Sequence, residues 1–512
     1  MERELIFMSF AQRILALVLL AIVLTACGGS QDRPAATTVS SQGTGDPTAA
    51  ATSTETTDVP QGAAATSEPI ATETTTSAGD DAVTTTEPTQ PAPTPTQAEA
   101  NPTEAVVPTE EPTAEKAPST GAAHSGTVVD ASGKPVAHAL VYAGTEYVRT
   151  DARGRFTAKT PNGVKDLTVM APGFKKMSQP LRGPNVGTVK LEPFVAKGVY
   201  VSGIGDDSVR KRFYGLMDDT ELNAIVINVK NDDGRVFTSK VPLAQESGAS
   251  YEDFQLKDVV ADMHKRGIYV IGRFTTFRDP ALVDARPDLA VHTTSGNVWT
   301  DAKGHKWVDP YNRKVWEYFG DLGAEIAASG IDEIQFDYVR FPTEGDFDII
   351  KFQKPSTRVN RPPTIDAFLG YMAARLRPHQ IFISADTFGL TIVSDKEQGT
   401  GQNLELLAKH LDYYSPMIYP DHYGPGSFGY NEPSAYPYEV IYQSVERAQQ
   451  RLKGTGVLVR PYLSAFKDTQ YGQPFGLPQF IAQKKGAEEA GAHGWIYWNA
   501  GLIYPDALFE PE

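Results

Sequence analysis

The sequence contains one cysteine among 512 residues, so no disulfide can form within the chain. Its nine histidines are scattered without the spacing of metal ligands, which disfavours a zinc-dependent hydrolase such as a polysaccharide deacetylase. The 63 acidic residues outnumber the 47 lysines and arginines, and this excess argues against a nucleic-acid partner. No apolar run of membrane-spanning length follows the N-terminal region. Neither a metal site nor a cofactor is therefore expected.

The N-terminal region has the pattern of an export signal. Arg13 precedes the apolar run 15–24, and small residues lead to Cys27, which predicts a signal peptide over residues 1–26. The stretch Leu24-Thr25-Ala26-Cys27 resembles a bacterial lipobox, in which the cysteine is acylated and becomes the mature N-terminus. The resemblance implies lipidation of Cys27 and anchoring at the extracytoplasmic face of the cell membrane. The alternative is an ordinary secretory cleavage site beside a cysteine.

The next two segments differ sharply in composition. Residues 27–120 are rich in Thr, Pro, Ala and Glu and almost free of aromatic residues, so they are expected to form a disordered linker. Residues 121–194 contain short alternating runs between turn motifs such as Asp151-Ala152-Arg153-Gly154, which predict a small all-β domain. This pattern resembles the carboxypeptidase regulatory-like β-sandwich. A spacer and a sugar-binding module are both possible roles for it.

Residues 195–512 alternate between strand and helix patterns, which favours an α/β fold, a (β/α)₈ TIM barrel. A doubly wound sheet is the rival fold, but the turn after the first strand, residues 202–206, matches a phosphate-binding loop poorly. The predicted strands cover residues 198–202, 224–230, 269–274, 333–337, 381–386, 412–418, 457–462 and 495–498. The predicted helices cover residues 207–217, 256–266, 314–328, 365–376, 404–411, 437–452 and 477–490.

Two acidic residues end neighbouring strands of this barrel. Active sites of such barrels lie at the C-terminal strand ends, and strand residues alternate between the interior and the helix layer. Asp337 ends the fourth strand on its inward face, and Asp386 ends the fifth. Adjacent strands are about 4.8 Å apart, which suits the carboxylate pair of a retaining glycosidase better than that of an inverting one. We expect Asp337 to be the nucleophile and Asp386 the acid/base.

Other polar and aromatic residues follow the same strand ends and are candidates for substrate binding. Lys230 and Arg273 could hold sugar hydroxyls or an acidic sugar, or could instead neutralise the carboxylates of the barrel. Aromatic rings can stack on the apolar faces of sugars, and Trp299 and Trp307 also occur in loops of this face. The predicted substrate-binding residues are Asn228, Lys230, Arg273, Tyr338, Arg340, Tyr419, His422, Tyr462 and Trp498.

Three stretches of the barrel resemble a bacterial family of glycoside hydrolase domains. They are residues 227–230, the segment Ile331 to Pro342, and Ser415-Pro416-Met417-Ile418-Tyr419-Pro420. The resemblance implies a TIM barrel distantly similar to the α-amylase clan. In that clan a fourth-strand Asp is the nucleophile and a fifth-strand acid is the proton donor, matching Asp337 and Asp386. This sequence has Asp where the clan prefers Glu on the fifth strand, and it lacks the seventh-strand acid near Arg460.

The sequence therefore predicts a glycoside hydrolase that acts on a polysaccharide or oligosaccharide at the cell surface. The alternative is a non-catalytic carbohydrate-binding surface lipoprotein on the same scaffold. In both cases the expected contact with the membrane is through the lipid anchor only.

Overall fold

The computed structural model describes residues 121–251, 254–394 and 396–511. Within them the chain forms a small β-sandwich followed by a closed barrel of eight parallel strand positions, which confirms the predicted fold class. The predicted signal peptide, Cys27 and the predicted linker lie outside the described residues. No helix of the described part is long and apolar enough for a membrane crossing.

The sandwich has two sheets that enclose their own apolar core. Alternation is clear in its fourth strand, where Phe156 and Ala158 are buried while Arg155, Thr157 and Lys159 are exposed. The strands are β1 (Ala122–Val129), β2 (Leu140–Ala143), β3 (Glu146–Arg149), β4 (Arg155–Thr160), β5 (Asp166–Met170), β6 (Met177–Pro180) and β7 (Asn185–Lys190). One sheet has the order β4-β1-β7 and the other the order β3-β2-β5-β6.

The barrel strands are all parallel, and the sheet closes where β18 pairs with β8. The strands of this part of the chain are β8 (Ala196–Val201), β9 (Ala224–Lys230), β10 (Tyr269–Thr275), β11 (His292–Thr293), β12 (Glu333–Asp337), β13 (Ile350–Lys351), β14 (Phe382–Phe388), β15 (Tyr413–Met417), β16 (Leu458–Val459), β17 (Tyr462–Ser464) and β18 (Gly494–Trp498). Around the barrel the order is β8-β9-β10-β12-β14-β15-β17-β18, with β16 beside the start of β15. The short β11 and β13 pair with each other outside the barrel.

Helices surround the barrel and bury one face against it. They are α1 (Asp207–Asp218), α2 (Pro242–Glu246), α3 (Leu256–Lys265), α4 (Pro280–Ala285), α5 (Arg313–Ala328), α6 (Arg361–Leu376), α7 (Leu390–Val393), α8 (Leu404–Leu407), α9 (Pro437–Arg451) and α10 (Leu477–Glu489). The two ends of α5, the helix before β12, are determined by particular residues. Asn312 accepts a hydrogen bond from Lys314 N at 3.1 Å at the start of α5, and Gly330, with φ of +92°, turns the chain back toward the barrel.

Besides adding the short elements α2, α4, α7, β11 and β13, the structure changes two of the predicted elements. The seventh strand is interrupted between β16 and β17 at Arg460 and Pro461, because proline has no N–H to donate to a ladder. The predicted helix over 404–411 is only the single turn of α8, after which Ala408 to Leu411 lead directly into β15.

The sandwich packs on the end of the barrel opposite to the C-terminal strand ends. Leu140, Tyr142 and Met170 of the sandwich form one apolar cluster with Phe382 and Tyr413 at the starts of β14 and β15. The hydroxyl of Tyr413 accepts a hydrogen bond from Gly173 N at 2.9 Å. This contact favours a structural role for the sandwich, because its face seals the lower end of the barrel.

Removing the sandwich is expected to destabilise the barrel. Residues 195–512 alone would expose Phe382 and Tyr413, which are 3% and 2% exposed in the structure. Burial of each such side chain contributes about 1.5–3 kcal/mol, so the free energy of unfolding should fall by roughly 3–6 kcal/mol. Urea unfolding of residues 195–512 beside residues 121–512 measures the difference. Equal stability of the two would contradict a sealing role.

Candidate active site

A cavity opens at the C-terminal ends of the barrel strands. The structure brings both predicted catalytic residues and most predicted substrate-binding residues to its wall. The predicted residues that line it are Arg273, Asp337, Tyr338, Arg340, Asp386, Tyr419, Tyr462 and Trp498. Asn228, Lys230 and His422 lie elsewhere.

Asp337 ends β12 at the bottom of this cavity. Its Oδ2 accepts a hydrogen bond from Arg273 Nε at 2.8 Å and lies 2.6 Å from Arg273 Nη2, and its Oδ1 accepts a hydrogen bond from Tyr338 N at 2.6 Å. Tyr338 has φ of +49°, an unusual value for a bulky residue and one that is concentrated at functional sites. This strained turn aims the carboxylate of Asp337 while its charge is balanced by the guanidinium.

Asp386 occupies the matching position on the neighbouring strand. Phe336 lies beside Ala385 in the register of β12 and β14, so Asp337 and Asp386 follow side by side. Asp386 is 2% exposed, and its Oδ1 is buried without a hydrogen-bond partner. Burial, followed by the nearby charge of Asp337, raises the pKa of Asp386 well above its ordinary value. Asp386 therefore keeps its proton to a higher pH than an exposed aspartate.

Arg273 joins the carboxylate of Asp337 to a second one. Besides Asp337, it donates to Asp232 Oδ1 at 2.9 Å and to Asn228 Oδ1 at 3.0 Å. Burial alone would raise the pKa of Asp232, but the guanidiniums of Arg273 and Arg278 outweigh it and hold the pKa below its ordinary value. Arg273 was considered either as a ligand for a sugar or as a partner of the barrel's carboxylates. In the structure it neutralises the negative charge of these carboxylates.

Aromatic side chains form the wall of the cavity. Trp498 stacks on Tyr200, with ring centroids 3.9 Å apart, and lies near Tyr462 at 6.2 Å. The hydroxyl of Tyr462 donates to Gln335 Oε1 at 2.5 Å, which fixes its ring. Tyr419 completes this side of the cavity. Such rings offer the flat apolar surface on which the C–H faces of a sugar can pack.

The prediction that Lys230 faces the barrel interior is wrong. The register of β9 and β10 shifts after Asn228, so that Lys230 lies beside Phe274. A bulge of this kind reverses the alternation of the strand and sends Lys230 into the helix layer. There it is fully buried, pairs with Asp279 at 3.0 Å and donates to Thr275 O at 2.7 Å. It is not available to a substrate in the cavity.

Asn228 and His422 are close to the cavity but do not line it. The side chain of Asn228 is occupied by Arg273 and by Tyr200, whose hydroxyl accepts a hydrogen bond from Nδ2 at 2.9 Å. His422 lies behind Tyr419, with their rings 5.1 Å apart, and burial lowers the pKa of its imidazole. Both residues support neighbours that reach the cavity.

Deeper in the barrel, Arg460 forms a buried ion pair with Glu333. Glu333 also accepts a hydrogen bond from Tyr269 at 2.9 Å, and the Arg460 guanidinium lies over the ring of Tyr413 at 4.3 Å. The inward polar residues of β12 therefore have separate partners, and only Asp337 reaches the cavity.

Sequence reasoning missed the contribution of the loops that follow β10. Arg278 lies in the turn after that strand, and Asp301, Lys303 and His305 come from the longer loop that also carries Trp307; all of them line the cavity. The sequence could have identified Arg278 as a residue of the cavity, because it stands three residues past a strand end. No local sequence pattern indicates where the longer loop lies in the folded protein.

The geometry suits acid–base and nucleophilic chemistry. A charge-balanced carboxylate at Asp337 and a buried carboxyl at Asp386 with a raised pKa lie side by side on adjacent strands. Environments that separate two carboxyl groups in this way allow one to act as an anion and the other as a proton donor. Among the described residues no three histidine, aspartate or glutamate side chains are grouped as metal ligands.

Comparisons with known structures give similarities of modest extent. A hypothetical protein from Ruminiclostridium thermocellum is 34% identical, with a TM-score of 0.34, over 37% of this chain and 96% of that one. The glycoside hydrolase domain of PgaB (BpsB) from Bordetella bronchiseptica is 14% identical, with a TM-score of 0.45, over 61% of this chain and 97% of that one. The catalytic domain of β-amylase from Paenibacillus polymyxa is 13% identical, with a TM-score of 0.42, over 62% and 95%. A search of curated proteins finds no match.

Two families match parts of the sequence. A family described as "Carboxypeptidase regulatory-like domain" matches residues 125–192, the region of the sandwich. A family described as "Putative glycosyl hydrolase domain" matches residues 198–504, which is the barrel with its active-site loops. Because this second match spans more than half of the 512 residues, the chain belongs to that family of glycosyl hydrolase domains.

Proposed function

We propose that this protein is a glycoside hydrolase that cleaves a polysaccharide or oligosaccharide with Asp337 and Asp386. Membership of the glycosyl hydrolase family supports the reaction class. The observation that carries the residue assignment is the contrast between the two carboxyl groups, since Arg273 balances the charge of Asp337 while burial raises the pKa of Asp386.

The mechanism we propose is a double displacement with retention of configuration. Asp337 attacks the anomeric carbon as Asp386 gives its proton to the leaving oxygen, so the glycosidic bond breaks and a glycosyl ester forms. Asp386, now ionised, then takes a proton from water, whose oxygen displaces Asp337. The spacing of adjacent strands, about 4.8 Å, supports this mechanism because retaining enzymes hold their carboxyl groups about 5–5.5 Å apart.

We also propose that the enzyme works at the extracytoplasmic face of the membrane. The support is the sequence around Cys27 and the apolar run before it, which together match a lipoprotein signal. The Thr- and Pro-rich segment up to residue 120 would then separate the barrel from the bilayer.

The stereochemistry of the product tests the mechanism. The exported chain should release reducing ends from at least one member of a polysaccharide panel. Proton NMR of the first product, recorded before mutarotation, is expected to show the anomeric configuration of the substrate. An inverted product would contradict a nucleophilic role for Asp337. Binding of a polysaccharide without hydrolysis would instead favour a carbohydrate-binding lipoprotein.

A further inference from the structure

Five arginines of the described chain are buried, and they differ in their partners. Arg273, Arg377 and Arg460 each form an ion pair with a carboxylate, from Asp337, Asp412 and Glu333 respectively. Arg278 and Arg340 are 5% and 9% exposed, and neither pairs with a carboxylate of the described residues. These two exceptions both line the active-site cavity.

The hydrogen bonds of the two guanidiniums leave several donors unused. Arg278 donates from Nη1 to the hydroxyl of Tyr338 at 2.8 Å, while its Nε is buried without a partner. Arg340 donates from Nη1 to Phe341 O at 3.1 Å and to Thr343 Oγ1 at 3.3 Å. A buried charge without an anionic partner is costly, and the free donors of a guanidinium match a carboxylate or phosphate in pairs.

Aromatic rings pack against both guanidiniums, which share the ring of Tyr338. Arg278 lies 5.0 Å and Arg340 5.3 Å from the centroid of that ring. Arg340 is also 4.7 Å from the ring of Phe388 and 5.1 Å from that of Trp307. The cations are therefore fixed in place before any ligand arrives, which reduces the entropy lost when an anion binds.

The acidic residues of the cavity do not supply the missing partner. Asp337 is occupied by Arg273, and Asp301 accepts hydrogen bonds from Trp307 Nε1 and His305, both at 3.0 Å. Burial lowers the pKa of Arg340, and Glu344 opposes this from a distance without forming an ion pair with it. Glu344 is thus a competitor for an anion at Arg340.

We infer that the cavity recognises a saccharide with an anionic substituent, a uronic acid carboxylate or a sulfate or phosphate ester, which Arg278 and Arg340 hold beside Asp337 and Asp386. This inference rests on the proposed function and adds the substrate class to it. The negative charge of the substrate replaces the carboxylate that the other buried arginines have within the chain.

Binding of anionic polymers to the full chain carrying Asp386→Asn tests the inference. This background slows hydrolysis by about 10²–10⁴-fold, and asparagine has nearly the same shape as aspartate. The probes are polygalacturonate, alginate and hyaluronan, the same polymers after reduction of their carboxyl groups, and dextran sulfate. At least one anionic polymer is expected to bind about 10- to 100-fold more tightly than its neutral counterpart, since each charge-assisted hydrogen bond contributes about that factor. Tighter binding of dextran sulfate than of every uronate polymer would show that the bound anion is a sulfate or phosphate ester rather than a carboxylate.

Variants of the two arginines then locate the site. Arg278→Gln and Arg340→Gln should each abolish the preference for the anionic polymer, whereas the matching lysine variants should keep part of it. Arg313→Gln removes an exposed guanidinium on α5 and should leave the preference unchanged. Glu344→Gln should strengthen binding of the anion. Thermal unfolding checks that each variant is folded.

Three results would overturn the inference. The first is equal binding of native and reduced polymers, and the second is no binding of any anionic probe. The third is a preference for the anionic polymer that persists in folded Arg278→Gln and Arg340→Gln variants. The proposed function is judged separately with the native residues. Hydrolysis of neutral polysaccharides alone would support the proposed function and reject the anionic substrate. Tight binding of anionic polymers without hydrolysis would support recognition of an anion and reject the proposed function.

Discussion

Asp386→Asn is expected to reduce the rate of hydrolysis of a natural polysaccharide by about 10²–10⁴-fold, the usual contribution of a general acid. Asparagine has almost the same shape and places no charge in this buried position, so the variant should fold normally. It cannot give a proton to the leaving oxygen. Initial rates of reducing-end release, together with thermal unfolding, measure the effect.

The leaving group separates the role of Asp386 from that of Asp337. An aryl glycoside with an acidic phenol departs without protonation, so Asp386→Asn should retain most of the first step on that substrate. Asp337→Asn should lose activity on both kinds of substrate, because no glycosyl ester can form. Equal losses for the two variants on the aryl glycoside would contradict the assigned order of the pair.

Two control variants test whether the loss of activity is specific to Asp386. Asp321→Asn alters an exposed carboxylate that pairs with Arg375 on the outer helices and should leave the rate unchanged. Glu344→Gln alters another carboxyl group that lines the cavity and should cost far less than Asp386→Asn. A larger loss for Glu344→Gln would identify Glu344 as the acid.

The pH profile should follow from the same pair. Because burial and the charge of Asp337 raise the pKa of Asp386, its acid form persists toward higher pH and kcat/KM falls only above that pKa. Asp337→Asn removes the larger of the two acidic charges that raise the pKa of Asp386, the other being that of Glu333, so this pKa should decrease. Because Asp337→Asn is expected to be inactive, the decrease is measured by NMR titration of the Asp386 carboxyl group in the variant and in the native enzyme.

Arg273→Gln is expected to lower the free energy of unfolding by about 3–5 kcal/mol near neutral pH, the usual cost of removing one partner of a buried ion pair. The guanidinium is 1% exposed and pairs with both Asp337 and Asp232. Its loss would leave Asp337 without its ion-pair partner and would remove the larger of the two arginine charges that act on Asp232. Urea unfolding at neutral pH measures the decrease.

The pH dependence of this loss has a definite sign. Burial raises the pKa of Asp232, but Arg273 and Arg278 outweigh it, so the folded-state pKa lies below the ordinary value of 3.8. Such a group stabilises the fold above its unfolded pKa, and the contribution is lost as the pH falls through the folded pKa. The deficit of Arg273→Gln should therefore be largest at neutral pH and should shrink as the pH falls below about 4.

Two comparisons make the Arg273 prediction specific. Arg375→Gln breaks an exposed pair with Asp321, whose side chains are 42% and 57% exposed, and should cost less than about 1 kcal/mol. The double variant Arg273→Gln/Asp232→Asn should recover part of the loss, because one of the two uncompensated charges is removed. A deficit of Arg273→Gln no larger than that of Arg375→Gln would show that the buried network contributes little.

Much of the architecture could be predicted from local patterns. Alternating strands and helices indicated the barrel, and the same alternation led to Asp337 and Asp386 as neighbours at the strand ends, where the register of β12 and β14 places them. These features depend on the periodicity of apolar residues, which predicts the buried face of each strand and helix from the residues of that segment alone.

The sequence by itself thus determined the fold class and the candidate carboxyl pair, while the partners of each charge were decided by the tertiary structure. A bulge in β9 turned Lys230 into the helix layer, and a loop distant in sequence brought Trp307 beside Arg340. The raised pKa of Asp386 and the lack of a carboxylate partner at Arg278 likewise became visible only in three dimensions. The physical reason is that periodicity is a local property, whereas desolvation and charge compensation depend on groups that only folding brings together.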